Sequence, residues 1–150
     1  MMNAFLRFNL ILFMIISFSK STLAEEIEHK SHSSLWSSVW DEKINDVAFK
    51  KVGASVKTPY TIQELVDILN TTLFLGIEVV GQKAETLMIK INQAEDLTQH
   101  MGSSGARTCL GIITFTLTEN SRVKKVEMDF EFGSHASPGT YSRADFIQAF

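Results

Sequence analysis

The chain has 150 residues, a net charge of −3 and a single cysteine, Cys109. One cysteine excludes an intramolecular disulfide, and the acidic balance disfavours nucleic acid as a main partner, because phosphate binding needs a basic surface. The length suits one domain standing on its own core, with Cys109 a small buried hydrophobe inside an apolar helical pattern.

The first 24 residues read as a secretory leader. Arg7 precedes an unbroken apolar run from Leu10 to Ile16, and a polar stretch then ends in Thr22-Leu23-Ala24, with small residues where a signal peptidase cuts. The run falls well short of the roughly 20 residues that span a bilayer. Cleavage near Ala24 removes Arg7 and Lys20 and no acid, taking the charge from −3 to about −5. The expectation is an exported protein, periplasmic or extracellular, without a stable membrane anchor after signal cleavage.

Glu25 to Ser34 is a polar, serine-bearing arm. His29 and His32 within it lack a third ligand, so no metal site is expected. Leu35 to Val52 admits two readings: Trp36, Trp40, Ile44 and Val47 share a helical face, whereas Val47, Phe49 and the neighbouring lysines read as a strand. Trp36 and Trp40 either close a core or offer a docking surface. Residues 25–57 are therefore an N-terminal arm with an unassigned segment, and 58–150 form the folded domain.

Thr61-Ile62-Gln63-Glu64 is a capping box, followed by the apolar stripe Ile62, Leu65, Val66 and Leu69 of a short helix. Leu73, Leu75, Ile77 and Val79 alternate, as do Leu87, Ile89 and Ile91, with Gly81 as the turn signal between them; the pattern predicts an antiparallel hairpin. Phe74 and Met88 fall on the outer faces of these strands. After a polar, glycine-bearing loop, Ala106, Cys109, Leu110, Ile113 and Leu117 fall at helical spacing. Ser103 or Ser104 is the expected N-cap and Asn120 the left-handed residue ending the helix. A competing strand signal, Ile113, Phe115 and Leu117, runs through the same residues. Val126, Met128, Phe130 and Phe132 then alternate with Lys125, Glu127, Asp129 and Glu131, a strand wet on one face. The turn-rich remainder ends in a short apolar segment able to pack or pair.

Helix, hairpin, helix and strand in this order predict an α+β fold: a two-layer sandwich, with a mixed three- to four-stranded sheet and the helices on one face. Gly102-Ser103-Ser104-Gly105, Thr116-Leu117-Thr118-Glu119 and Val123-Lys124-Lys125-Val126, set within Leu87 to Phe130, resemble the sporulation and spore germination domain (GerMN family). The resemblance covers about half of the mature chain. It departs before Thr61, and Phe130-Glu131-Phe132 delays the glycine expected after the last strand to Gly133. It implies an exported, non-catalytic module that assembles through protein contacts and carries no cofactor; a sporulating habit does not follow from it.

The candidate interaction surface is Lys125, Glu127, Asp129 and Glu131 with Trp36 and Trp40, for a protein partner or a second copy. The alternative is a secreted or periplasmic binding module, inhibitor-like, with Phe74, Met88 and the tryptophans lining an apolar cleft. An enzyme reading would use His100, Ser103 and Ser104 near a helix start, with Asp96 close in sequence, but a nucleophile needs an oriented base and closeness in sequence is not geometry. Helix capping accounts for the serines without chemistry, and no catalytic residue is assigned. His135, Ser137 and Tyr141 mark a possible recognition loop whose composition turn chemistry around Pro138-Gly139 also explains.

Overall fold

The computed structural model describes residues 35–52 and 59–147. The expected leader, the arm with His29 and His32, and most of the loop before Thr61 lie outside the described residues. The order is β1 (Trp36–Asp41), β2 (Asp46–Lys51), α1 (Ile62–Leu73), β3 (Ile77–Lys83), β4 (Thr86–Ile91), α2 (Gly102–Leu117), β5 (Lys125–Asp129) and β6 (Gly139–Ser142). A π turn at Asp96–His100 precedes α2, and a 3-10 turn at Arg143–Phe146 follows β6.

The main sheet runs β3-β4-β5-β6. β3 and β4 pair antiparallel, β4 and β5 parallel across the α2 crossover, and β5 and β6 antiparallel. The fold is α+β with a mixed four-stranded sheet. Its inner face supplies Ile77, Leu87, Ile89, Ile91, Val126 and Met128 to a core completed by Leu65, Val66 and Leu69 of α1 and Ala106, Ile113 and Leu117 of α2. Cys109 sits in this core at 5 % exposure, and burial pushes its thiol up to about 11.

α1 begins as expected: the Thr61 hydroxyl accepts from the Glu64 amide while the Glu64 carboxylate accepts from the Thr61 amide at 2.9 Å. It also runs on through Leu73, so residues 71–73 are helical rather than the start of a strand. There the Thr71 and Thr72 hydroxyls donate to the Asp67 and Ile68 carbonyls one turn back, which lets β-branched residues sit in a helix. Asn70 then latches onto the next strand, its side chain donating to the Ile77 carbonyl and accepting from the Ile77 amide.

The turn of the expected hairpin lies at Ala84-Glu85, with Ala84 at φ 52°, and not at Gly81. Gly81 is inside β3 opposite Met88, where the register shifts past the extra residue Val80. Here a glycine inside an alternating run marked a bulge rather than a reversal.

α2 resolves the competing signals of residues 106–117 in favour of helix. From Cys109 onward it is buried nearly all round because it lies between two partners. One side meets the sheet; the other meets the β1–β2 hairpin. Leu35 to Val52 thus takes the strand alternative throughout, in antiparallel register from Trp36↔Lys51 to Asp41↔Asp46, and the common helical face of Trp36, Trp40, Ile44 and Val47 does not form. Contact is close: a Cβ on Gly111 would stand 2.2 Å from Phe49 Cζ. Phe49 stacks on Phe115 with ring centres 4.8 Å apart, and Trp36 tilts onto the same ring at 4.8 Å. The hairpin therefore adds a layer beyond the two expected.

Neither end of α2 follows the expected cap. The π turn feeds into it through Met101, whose amide donates to the Asp96 carbonyl at 3.0 Å, so no serine side chain caps the start. At the far end Asn120 keeps a negative φ; its side chain instead donates to the Tyr60 carbonyl and accepts from the Arg122 amide. β5 is also shorter than its pattern, ending at Asp129. Phe130 stays buried, but Phe132 is 70 % exposed.

Candidate functional site

The sheet's outer face is covered by neither helix, since α1 packs on β3 and α2 on β5 and β6 from the inner side. Lys125, Glu127 and Asp129 all stand exposed on it, as expected, and Glu131 is exposed just beyond the strand. Pairing turns this single charged strand into rows. Glu78 lies opposite Lys90, and Lys90 opposite Asp129, so one row alternates negative, positive, negative across three strands. The adjacent row carries Gly81, Met88, Glu127 and Thr140. Met88 is half-buried there, giving the face an apolar centre.

The two tryptophans separate. Trp40 is 62 % exposed, whereas Trp36 is tied into the seam that holds the hairpin down. Its indole Nε1 donates to Glu119 Oε1 at 3.2 Å, and the Arg143 guanidinium lies 4.9 Å from its ring centre and 5.0 Å from that of Phe115. Arg143 also donates to Glu119 Oε1 at 2.9 Å, to the Phe115 carbonyl at 3.0 Å and to Thr118 Oγ1 at 2.7 Å, while Lys51 of β2 pairs with the other Glu119 oxygen. One carboxylate thus joins β1, β2, α2 and the 3-10 turn.

Burial would raise the pKa of Glu119, but the hydrogen bonds from Lys51 and Arg143 outweigh it and hold the carboxyl below the usual glutamate range. A group depressed in this way stabilises fully above its unfolded value near 4.3, and the contribution disappears as pH falls through the folded value. Glu119→Gln is expected to cost about 1–2 kcal/mol at neutral pH, discounted because both cations are about one-third exposed. Urea titrations should show wild type and variant converging as pH falls below about 4. A constant gap down to acid would show that the carboxylate charge is not what holds the seam.

A groove opens at the carboxyl ends of the parallel strands β4 and β5, where the chain leaves β4 for the α2 crossover. Its volume is about 1010 Å³. Phe74 bounds it on the β3 side and Phe132 on the β5 side, with Glu95, Asp129 and Glu131 among its walls. Of the expected cleft residues only Phe74 lines it; Met88 and the tryptophans are elsewhere. A smaller cavity of about 320 Å³ lies beyond Phe132, lined by His135, Ser137 and Tyr141 of the expected recognition loop together with Arg107 and Phe146.

The residues of the enzyme reading do not converge on one point. His100 Nδ1 pairs with Asp96 at 2.8 Å, and that hydrogen bond raises the histidine's pKa, whereas Ser103 Oγ lies 3.3 Å from Nδ1 of a different histidine, His135. Among the described residues, no third side chain hydrogen-bonds to either pair to orient it. Among the described residues no group of three His, Cys, Asp or Glu side chains is placed to hold a metal, and no helix is long and apolar enough to cross a membrane.

The seam at Glu119 and the groove were both missed in the residue pattern. Gly111 was the available signal for the seam, since an interior helical glycine costs stability unless something approaches closely. Nothing in the sequence brings Lys51 to Glu119, 68 positions away. No family model matches the chain, and no curated protein or solved structure matches it either.

Proposed function

We propose that the protein is an exported, non-catalytic assembly module of the cell envelope, acting through protein–protein contacts on the outer face of its sheet. The observation that carries this reading is the cross-strand row Glu78–Lys90–Asp129 beside a half-buried Met88 on a face covered by neither helix. Alternating charge fixes register and partner choice more than raw affinity, and an apolar centre supplies contact area. The likeness of Leu87 to Phe130 to the GerMN family and the leader-like first 24 residues point the same way.

Light scattering on the eluting protein, with capture from an envelope extract, tests it. Self-association or a captured partner should weaken at least fivefold when Lys90 and Asp129 are both reversed in sign (Lys90→Glu with Asp129→Lys), and weaken again as salt rises. A strict monomer that captures nothing would overturn the proposal.

A second reading, a secreted or periplasmic binding module, draws on Phe74 at the lip of the groove. Native mass spectrometry of protein from its own host would then show a retained small ligand, and a bare mass would count against it.

A further inference from the structure

We infer that the groove at the carboxyl ends of β4 and β5 docks an extended, lysine- or arginine-bearing segment of a partner protein. The groove adjoins the outer sheet face and shares Lys90 and Asp129 with it, so the test below turns on Glu95 and Phe74, which lie outside the charged row of that face. Phe74 carries the argument first. It ends α1 at φ 55°, a left-handed conformation that glycine or asparagine adopts freely and a phenylalanine does not. Its ring nevertheless gains no burial in exchange, standing 74 % exposed on the groove. A strained aromatic held out to solvent is an outlier of the kind that marks a contact surface.

Phe132 repeats the feature on the other side. Lying beyond the end of β5, it breaks the inward alternation of Val126, Met128 and Phe130 and is 70 % exposed. Gly133 then fixes the position of this lip: a Cβ there would stand 2.4 Å from Thr98 Cβ and 2.8 Å from the Thr98 carbonyl. The lip is therefore built against the π turn by close backbone approach.

Between the two rings the walls are acidic. Glu95, Asp129 and Glu131 line the groove and make no ion pair among the described residues, while Asp96 is engaged by His100 and Lys90 is the single basic lining residue. Carboxylates flanked by aromatic faces suit ammonium or guanidinium groups on apolar stems, which use both the charge and the ring. The groove is open and about 1010 Å³, at the upper end of small-molecule sites and without their enclosure, so an extended peptide fits it better than a small cation.

The test uses fluorescence anisotropy with the protein as its host makes it and two labelled octapeptides, one alternating lysine and valine, the other glutamate and valine. The lysine peptide should bind at least tenfold more tightly than the glutamate peptide. Glu95→Gln with Glu131→Gln should weaken it at least fivefold, while Glu42→Gln with Glu85→Gln, both exposed and outside the groove, leaves it unchanged. Phe74→Gly should raise the melting temperature by a few degrees, because glycine takes the left-handed position without strain, and still weaken the lysine peptide about threefold or more. Equal losses from the two glutamine pairs would reduce the effect to unspecific charge and overturn the inference. So would binding indifferent to Phe74→Gly and Phe132→Ser, or spermine binding as tightly as the peptide.

Discussion

Phe115→Ala is expected to cost about 3–5 kcal/mol, the largest single loss among the residues discussed. The ring is 4 % exposed and touches both strands of the hairpin, stacked on Phe49 at an interplanar angle of 14° and tilted against Trp36. Removing it leaves a cavity between α2 and the hairpin and takes away one of the two rings over which Arg143 lies. A two-stranded hairpin is marginal in water without such a partner, so much of the loss should appear as local detachment. Urea unfolding would give the magnitude, and tryptophan emission would locate it. Trp40 is already exposed, so a red shift on mutation reports Trp36 leaving its place. Phe115→Leu should restore more than half of the stability, since it refills most of the volume. A loss below about 1 kcal/mol with unchanged emission would mean that the hairpin is anchored elsewhere, and would remove the packing argument made for α2.

Local patterns were legible where one face of an element meets one partner. The capping box at Thr61 and Glu64 formed as read, and β5 presents Val126 and Met128 inward with Lys125, Glu127 and Asp129 outward. The parallel β4–β5 pair followed from the order of elements. Legibility failed where an element has two partners or a residue answers to distant contacts. α2 reads ambiguously because it is buried on both sides, which blurs helical periodicity into an apolar run. Residues 35–52 read ambiguously because the common helical face of Trp36, Trp40, Ile44 and Val47 suited a helix as well as a strand.

The boundary errors share a cause. Residues 71–73 favour strand by propensity, but the helix keeps them through side-chain bonds to its own carbonyls and through the Asn70 latch. Tertiary context overrode local preference. For the candidate surface, exposure of Lys125, Glu127, Asp129 and Glu131 was readable from alternation alone. Their cross-strand neighbours were not, because register depends on the true turn at Ala84-Glu85 and on the bulge at Val80. The groove was the least readable feature, assembled from segments at 74, 90–99 and 129–132 that no periodicity connects.

Gly111→Val should cost about 2–3 kcal/mol, and the reason can be isolated. Replacing an interior helical glycine with alanine ordinarily gains about 0.5–1 kcal/mol from backbone entropy. Here the new Cβ would overlap the Phe49 ring, with Cζ at 2.2 Å and Cε1 at 2.5 Å. The ring has little room to retreat, being stacked on Phe115 and set edge-on to Phe146 at 5.9 Å. Overpacking of this kind costs about 1–3 kcal/mol, and valine adds two methyl groups with a poorer helix propensity than alanine. A double-mutant cycle separates the clash from any intrinsic effect of valine in the helix. In a Phe49→Ala background the space is empty, so Gly111→Val should be nearly neutral there, and the coupling between the two positions should be about 2 kcal/mol. Additive costs would place the two side chains out of contact and would dissolve the docking of the hairpin onto α2. Strong coupling would make Gly111 the residue that sets how closely the two layers approach, and with it the geometry that lets Trp36, Lys51 and Arg143 all reach the single carboxylate of Glu119.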